Sequence, residues 1–216
     1  MKHKRNILYF LLLLCNFQNI PFCQSNLTIG VKGGLIQNQY IVSDALEKKS
    51  GFRSGFAFGI TAEFLKSKHF MLISDLLYLK RGMSFKSGDY FDAYNSGETS
   101  VSYLSLNVLP AFRLKNIFLS PYLFAGPRIE FVLNHYDANY PGFYYNLNSF
   151  NFGFSSGVGL EKEISRGAYI HADFRYSRDF TYFKRIVTVG YGLANFTNSS
   201  FDFLLGVNFN IRSSKK

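Results

Sequence analysis

Eight stretches of this chain alternate apolar and polar residues with a period of two, and the segments joining them alternate between short and long. A period of two is the mark of a strand whose two faces meet different surroundings. The clearest case is Phe201–Ile211, where Phe201, Phe203, Leu205, Val207, Phe209 and Ile211 oppose Asp202, Gly206, Asn208 and Asn210. Ala168–Phe180 sets Ile170, Ala172, Phe174 and Tyr176 against His171, Asp173, Arg175, Ser177 and Asp179. Asn151–Glu163 sets Phe152, Phe154, Val158 and Leu160 against Gly153, Ser155, Gly157, Gly159 and Glu161. Leu27–Gln37, Ser54–Leu65, Ser100–Arg113 and Phe118–Leu133 follow the same rule, while Phe70–Arg81 is apolar on both faces around Asp75 and Tyr78. The eight predicted strands are 11 to 16 residues long.

The connections carry as much information. Residues 38–53, 82–99, 134–150 and 181–200 make predicted loops of 16, 18, 17 and 20 residues. Between them lie turns of four residues at 66–69, 114–117 and 164–167. An up-and-down antiparallel arrangement collects the short turns at one end and the long loops at the other. Outer-membrane barrels are built this way, with short periplasmic turns and long external loops. Compact soluble domains rarely carry several loops of this length.

A soluble eight-stranded barrel would turn its apolar faces inward. Here those faces are bulky and aromatic, too large for a narrow lumen. The chain has 25 Phe and 15 Tyr among 216 residues. The polar faces mix Gly with Asp, Glu and Arg and hold few Lys, which suits a filled interior better than a solvated surface. The expected fold is therefore all-β: an eight-stranded antiparallel up-and-down transmembrane β-barrel, with lipid on its greasy face.

The N-terminus fits export. Lys2, His3, Lys4 and Arg5 precede the apolar run Ile7–Cys15, which is too short to span a bilayer as a helix. A signal peptide is expected at 1–23, with cleavage near Cys23, followed by a barrel domain at 24–216. Its removal takes three of the 24 Lys and Arg and both Cys, so the net charge of +10 falls to +7. Thiol chemistry and cysteine–metal sites go with it, and an exported chain has no nucleic acid to bind.

On the inward faces, Lys32, Arg81, Arg113, Arg128 and Arg175 meet Glu63, Asp75, Glu130, Glu161, Asp173 and Asp179. Charges buried together persist only when paired. A lumen ion-pair network is expected, with Arg128, Glu130, Asp173 and Arg175 at its centre, and it should plug the barrel. Lys66, Lys68, Lys115, Arg166, Arg212, Lys215 and Lys216 sort to the periplasmic turns and tail, where they are either solvated or in contact with phospholipid headgroups.

An ordered set of short stretches gives a resemblance. Ile29-Gly30-Val31-Lys32-Gly33-Gly34-Leu35 is followed by Ser74-Asp75-Leu76-Leu77-Tyr78 and Lys80-Arg81-Gly82. Tyr103-Leu104, Leu109-Pro110, Ala125-Gly126-Pro127, Gly157-Val158-Gly159 and Phe174-Arg175-Tyr176 come next. In this order they resemble the Bacteroidota PorT-like outer membrane protein beta-barrel domain family. The resemblance implies an eight-stranded, OmpA/OmpX-like barrel in a Gram-negative outer membrane. It assigns no activity, although a few relatives serve type IX secretion. Asp75 stands where the family usually has Glu, and the last aromatic, Phe209, is followed by Asn210-Ile211 and a basic tail.

No catalytic set emerges. His171 faces inward near Asp173 and is expected to be packed and hydrogen-bonded, whereas His69 and His135 fall in a turn and a loop. Asp89, Asp92 and Glu98 lack the spacing of a calcium loop, and no Gly-rich phosphate loop occurs. No enzyme, cofactor or metal is expected. The loops hold aromatic clusters, chiefly Tyr136, Tyr140, Phe143, Tyr144 and Tyr145. These suit either a boundary girdle or a surface that binds a protein or glycan. The expected role is a structural or interaction protein, for adhesion or as an accessory. The alternatives are a small-solute channel and a component of a type IX-like secretion system.

Overall fold

The computed structural model describes residues 27–43, 48–49, 52–85, 97–114, 118–137, 149–181, 183–187 and 192–211. The predicted signal peptide lies outside them. The strands are β1 (Leu27–Ser43), β2 (Lys48–Lys49), β3 (Arg53–Phe64), β4 (Phe70–Phe85) and β5 (Gly97–Arg113). They continue with β6 (Ser120–Asp137), β7 (Phe150–Ser165), β8 (Ala168–Asp179), β9 (Phe183–Val187) and β10 (Gly192–Ile211). Every pairing is antiparallel, and the long strands run β1-β3-β4-β5-β6-β7-β8-β10. Pairing of β1 with β10, from Leu27 opposite Ile211 to Ser43 opposite Asn195, closes the sheet into an eight-stranded barrel. Closure leaves no long strand with an unpaired edge, the condition for placing a sheet in hydrocarbon. The short β2 and β9 pair onto β1 and β10 near the loop end.

The strands exceed the predicted ones at the long-loop end. β10 begins at Gly192 and β1 runs to Ser43, both inside predicted loops. A tilted strand needs only about 9–11 residues to cross a bilayer, so the 17 paired positions of β1 and β10 carry the wall beyond the apolar band. The apolar alternation stops at the membrane boundary, whereas backbone pairing does not. At the other end, Arg166-Gly167 joins β7 to β8, with Gly167 at φ 86°.

The faces are inverted relative to a soluble barrel. Phe58, Phe174 and Phe203 are exposed at 55%, 52% and 50%, while Asp75, Asp173 and Glu130 are fully buried. Two groups of outward aromatics sit at one height. Phe56, Phe58 and Tyr78 pack with centroids 5.2–6.2 Å apart, and Tyr176 lies 5.2 Å from Phe201. Tyr78 and Tyr176 each sit eight residues into their strands from the short-turn end. At about 3.3 Å per residue and a tilt near 40°, that is about 20 Å up, close to the outer edge of an apolar band about 25 Å tall.

Inward residues are not all polar. Met71, Ile73, Leu109, Ala111, Tyr122 and Phe124 form an apolar cluster on the lumen side of β4, β5 and β6. This is why β4 alternates badly: its outer face meets lipid and much of its inner face meets this cluster.

Candidate functional site

The lumen is crossed by charged side chains at three heights. Nearest the short turns, Lys66 bridges Glu63 (2.8 Å) and Glu161 (2.6 Å). Arg113 donates to Glu161 at 2.7 Å and to the Ser67 carbonyl at 2.8 Å. Asn208 donates to the second oxygen of Glu63 at 2.6 Å, and the Lys66 ammonium lies 4.0 Å from the centre of the Tyr169 ring. The sequence places Lys66 in an exposed turn, solvated or among lipid headgroups. It instead folds back from its turn and joins two lumen carboxylates, Glu63 and Glu161.

At mid-height, Lys32 lies 3.1 Å from Asp75 and 2.8 Å from Asp173. Arg175 holds the same two carboxylates at 2.7 and 3.2 Å. Two cations and two anions thus form a closed ring, with Tyr122 donating its hydroxyl to the other oxygen of Asp173. The Arg175 guanidinium lies 5.2 Å from the Phe124 ring centre. Each member is buried, so the group persists because every carboxylate is paired and hydrogen-bonded.

Towards the loops, Arg81 meets Glu130 at 2.7 Å, and Arg128 reaches Glu130 at 3.3 Å and pairs with Asp179. Between this group and the ring lies a neutral belt. Ser155 and Ser177 are 2.9 Å apart, Ser155 donates to Asn107 at 3.3 Å, and Asn107 donates to Ser105 at 3.2 Å. Ser177 also donates to Asp202 at 3.3 Å. Asp202 is buried, and its Oδ1 has no hydrogen-bond partner.

All eleven expected lumen residues therefore face inward, but their grouping differs from the expectation. Arg128 and Glu130 belong to the upper group and Asp173 and Arg175 to the ring, and no ion pair joins the two groups among the described residues. The stagger of tilted strands decides which inward positions share a height, and alternation alone does not carry it. Glu63, Arg113 and Glu161 form the lower group with Lys66.

Asp202 adds a further lumen carboxylate to the expected balance, and its place between Phe201 and Phe203 marks it as inward. The two lower groups each hold two cations and two anions. The upper group, counting Asp202, holds Arg81 and Arg128 against Glu130, Asp179 and Asp202.

His171 points inward and is buried, but neither ring nitrogen has a hydrogen-bond partner, contrary to the hydrogen-bonded state expected. His69 stacks on Phe112 with centroids 6.0 Å apart. Tyr136 lies in β6 opposite Ser100. Tyr140, Phe143, Tyr144 and Tyr145 lie outside the described residues, as do Asp89 and Asp92. Among the described residues no cluster of His, Cys, Asp and Glu has the make-up of a metal site.

Comparison with known proteins agrees with this architecture. The crystal structure of the outer membrane protein OprG from Pseudomonas aeruginosa superposes with a TM-score of 0.54 at 10% identity, covering 85% of this chain and 96% of that one. The solid-state NMR structure of outer membrane protein AlkL in DMPC bilayers gives 0.52 at 11% identity, covering 89% and 93%. At such identities the likeness shows the fold alone. No curated protein matches the sequence. Residues 18–163 match the family described as outer membrane protein beta-barrel domain. The chain belongs to that family and is a β-barrel protein of the Gram-negative outer membrane.

Proposed function

We propose that this barrel is a closed, non-enzymatic scaffold of the outer membrane that presents its loop end to a protein or glycan partner. The observation that carries the reading is the stacking of three buried ion-pair groups across one narrow lumen. Eight strands leave room for little more than side chains, and here arginines, lysines and carboxylates occupy that room at successive heights. Such a network rigidifies the wall and opposes solute flow. The surface left for function is the loop end, with Tyr136, Tyr140, Phe143, Tyr144 and Tyr145 as its candidate contacts. The predicted leader at 1–23 supplies the export this location requires.

The test is twofold. Purified protein in planar bilayers should give no sustained conductance, and crosslinking in native outer membranes should capture a partner through the loops. Steady ohmic conductance would overturn the closed scaffold. One observation favours a second reading, a small-solute channel: the upper lumen carries the unpartnered oxygen of Asp202. Cation-selective current abolished by Asp202→Asn would establish it. We also place the chain in the PorT-like branch, on the ordered motifs from Ile29 to Tyr176. Co-purification with a large secretion complex would make it an accessory of type IX-like secretion.

A further inference from the structure

The outer wall is not uniformly bulky. On its short-turn half a groove of about 710 Å³ crosses β7, β8, β10 and β1. That volume falls in the range of roughly 300–1,000 Å³ typical of small-molecule sites. Its floor is Gly33 and Ala172, and Leu160, Ile170 and Leu205 stand along it. These positions are adjacent in register: Leu160 faces Ala172, Ala172 faces Leu205, and Leu205 faces Gly33. The two small residues, on β8 and β1 to either side of β10, thus lower the wall beside Leu160, Ile170 and Leu205.

One end of the trough carries a charge. Lys162 lines it and is exposed. Among the described residues it makes no ion pair or hydrogen bond, in contrast to Lys32 and Lys66 in the lumen. It lies three residues before Ser165, the end of β7, which is about 10 Å along the strand. A lone ammonium on a lipid-facing wall is costly unless its stem extends to the interface and its head meets an anion.

We infer that this wall holds a discrete phospholipid site for the periplasmic leaflet. An acyl chain lies in the trough over Gly33 and Ala172, and the phosphate is held by Lys162. The charge is complementary, the trough is apolar along its length, and its charged end lies close enough to the short-turn end of β7 for an extended lysine stem to reach the headgroups. The site is independent of the scaffold reading, since neither lumen closure nor partner capture requires it.

The test is native mass spectrometry of the folded protein in detergent, titrated with palmitoyl-oleoyl-phosphatidylglycerol. The unmodified chain should retain one lipid through a saturable step. Ala172→Phe, which fills the trough from the lipid side, should abolish that step. Lys162→Ala should weaken it by about tenfold, the loss of one charge-assisted contact. Ala125→Phe, an outward substitution on β6 away from the trough, should leave it unchanged and controls for folding and micelle effects. Equal retention by all four chains would mean unspecific boundary lipid and overturn the site. Loss with Ala172→Phe but none with Lys162→Ala would overturn the phosphate contact, and with it the phospholipid assignment.

Discussion

The inner faces of β6 and β7 are neighbours in the sheet and opposites in size. β6 turns Tyr122, Phe124, Arg128 and Glu130 into the lumen; β7 turns in Gly153, Ser155, Gly157 and Gly159. The difference is a fit. A Cβ at Gly159 would stand 2.1 Å from the Tyr122 ring, and one at Gly157 would stand 2.7 Å from the tip of Phe124. The rings therefore lie over the bare backbone of the next strand. Tyr122 reaches across β7 to give its hydroxyl to Asp173 on β8. The lumen is thus filled as a core is filled, with large side chains on one strand matched by missing ones on the next. Its apolar part and its ionic part meet at Tyr122.

The most damaging change should be at that meeting point. Asp173→Asn leaves Lys32 and Arg175 to share Asp75 alone, and should cost about 3–5 kcal/mol in urea unfolding from lipid vesicles. Adding Lys32→Met should recover part of the loss, because it removes the charge left uncompensated. Next in size, Gly159→Leu drives a side chain into the Tyr122 ring and should cost about 1–3 kcal/mol. Tyr122→Ala in the same chain should relieve that clash. Strictly additive costs for the pair would break the proposed fit between β6 and β7. The smallest effect is expected at Asp202, whose Oδ1 is already without a partner. Asp202→Asn should change stability by less than about 1 kcal/mol, since no ion pair is lost. A cost matching that of Asp173→Asn would show that Asp202 is held as tightly as the ring carboxylates.

The same contrast explains what the sequence made legible. β7, β8 and the membrane part of β10 alternate cleanly because one face meets lipid and the other meets glycines or charges. Their inward residues, among them Glu161, Asp173, Arg175 and Asp179, are readable from alternation alone. β4 is not, because Met71, Ile73, Leu77 and Leu79 are apolar although they face inward, Met71 and Ile73 into the apolar cluster, while Leu72 and Leu76 lie on the outer side. Partnership is also hidden. Lys32 and Asp173 are 141 residues apart, and strand stagger alone brings them to one height. Lys66 sits in a turn by sequence, and only the nearness of Glu63 and Glu161 draws it inward. The upper extensions of β1 and β10 leave no apolar pattern, because beyond the membrane neither face is asked to be greasy.

The central claim is that bulky aromatic side chains face lipid while the lumen is packed. The chain contains no Trp, so a single introduced one reports without background. Phe174→Trp and Phe124→Trp place that probe at a half-exposed outer position and at a buried lumen position. In vesicles of brominated phospholipid, fluorescence from Phe174→Trp should be strongly quenched and that from Phe124→Trp nearly untouched. Quenching of Phe124→Trp with protection of Phe174→Trp would contradict the account.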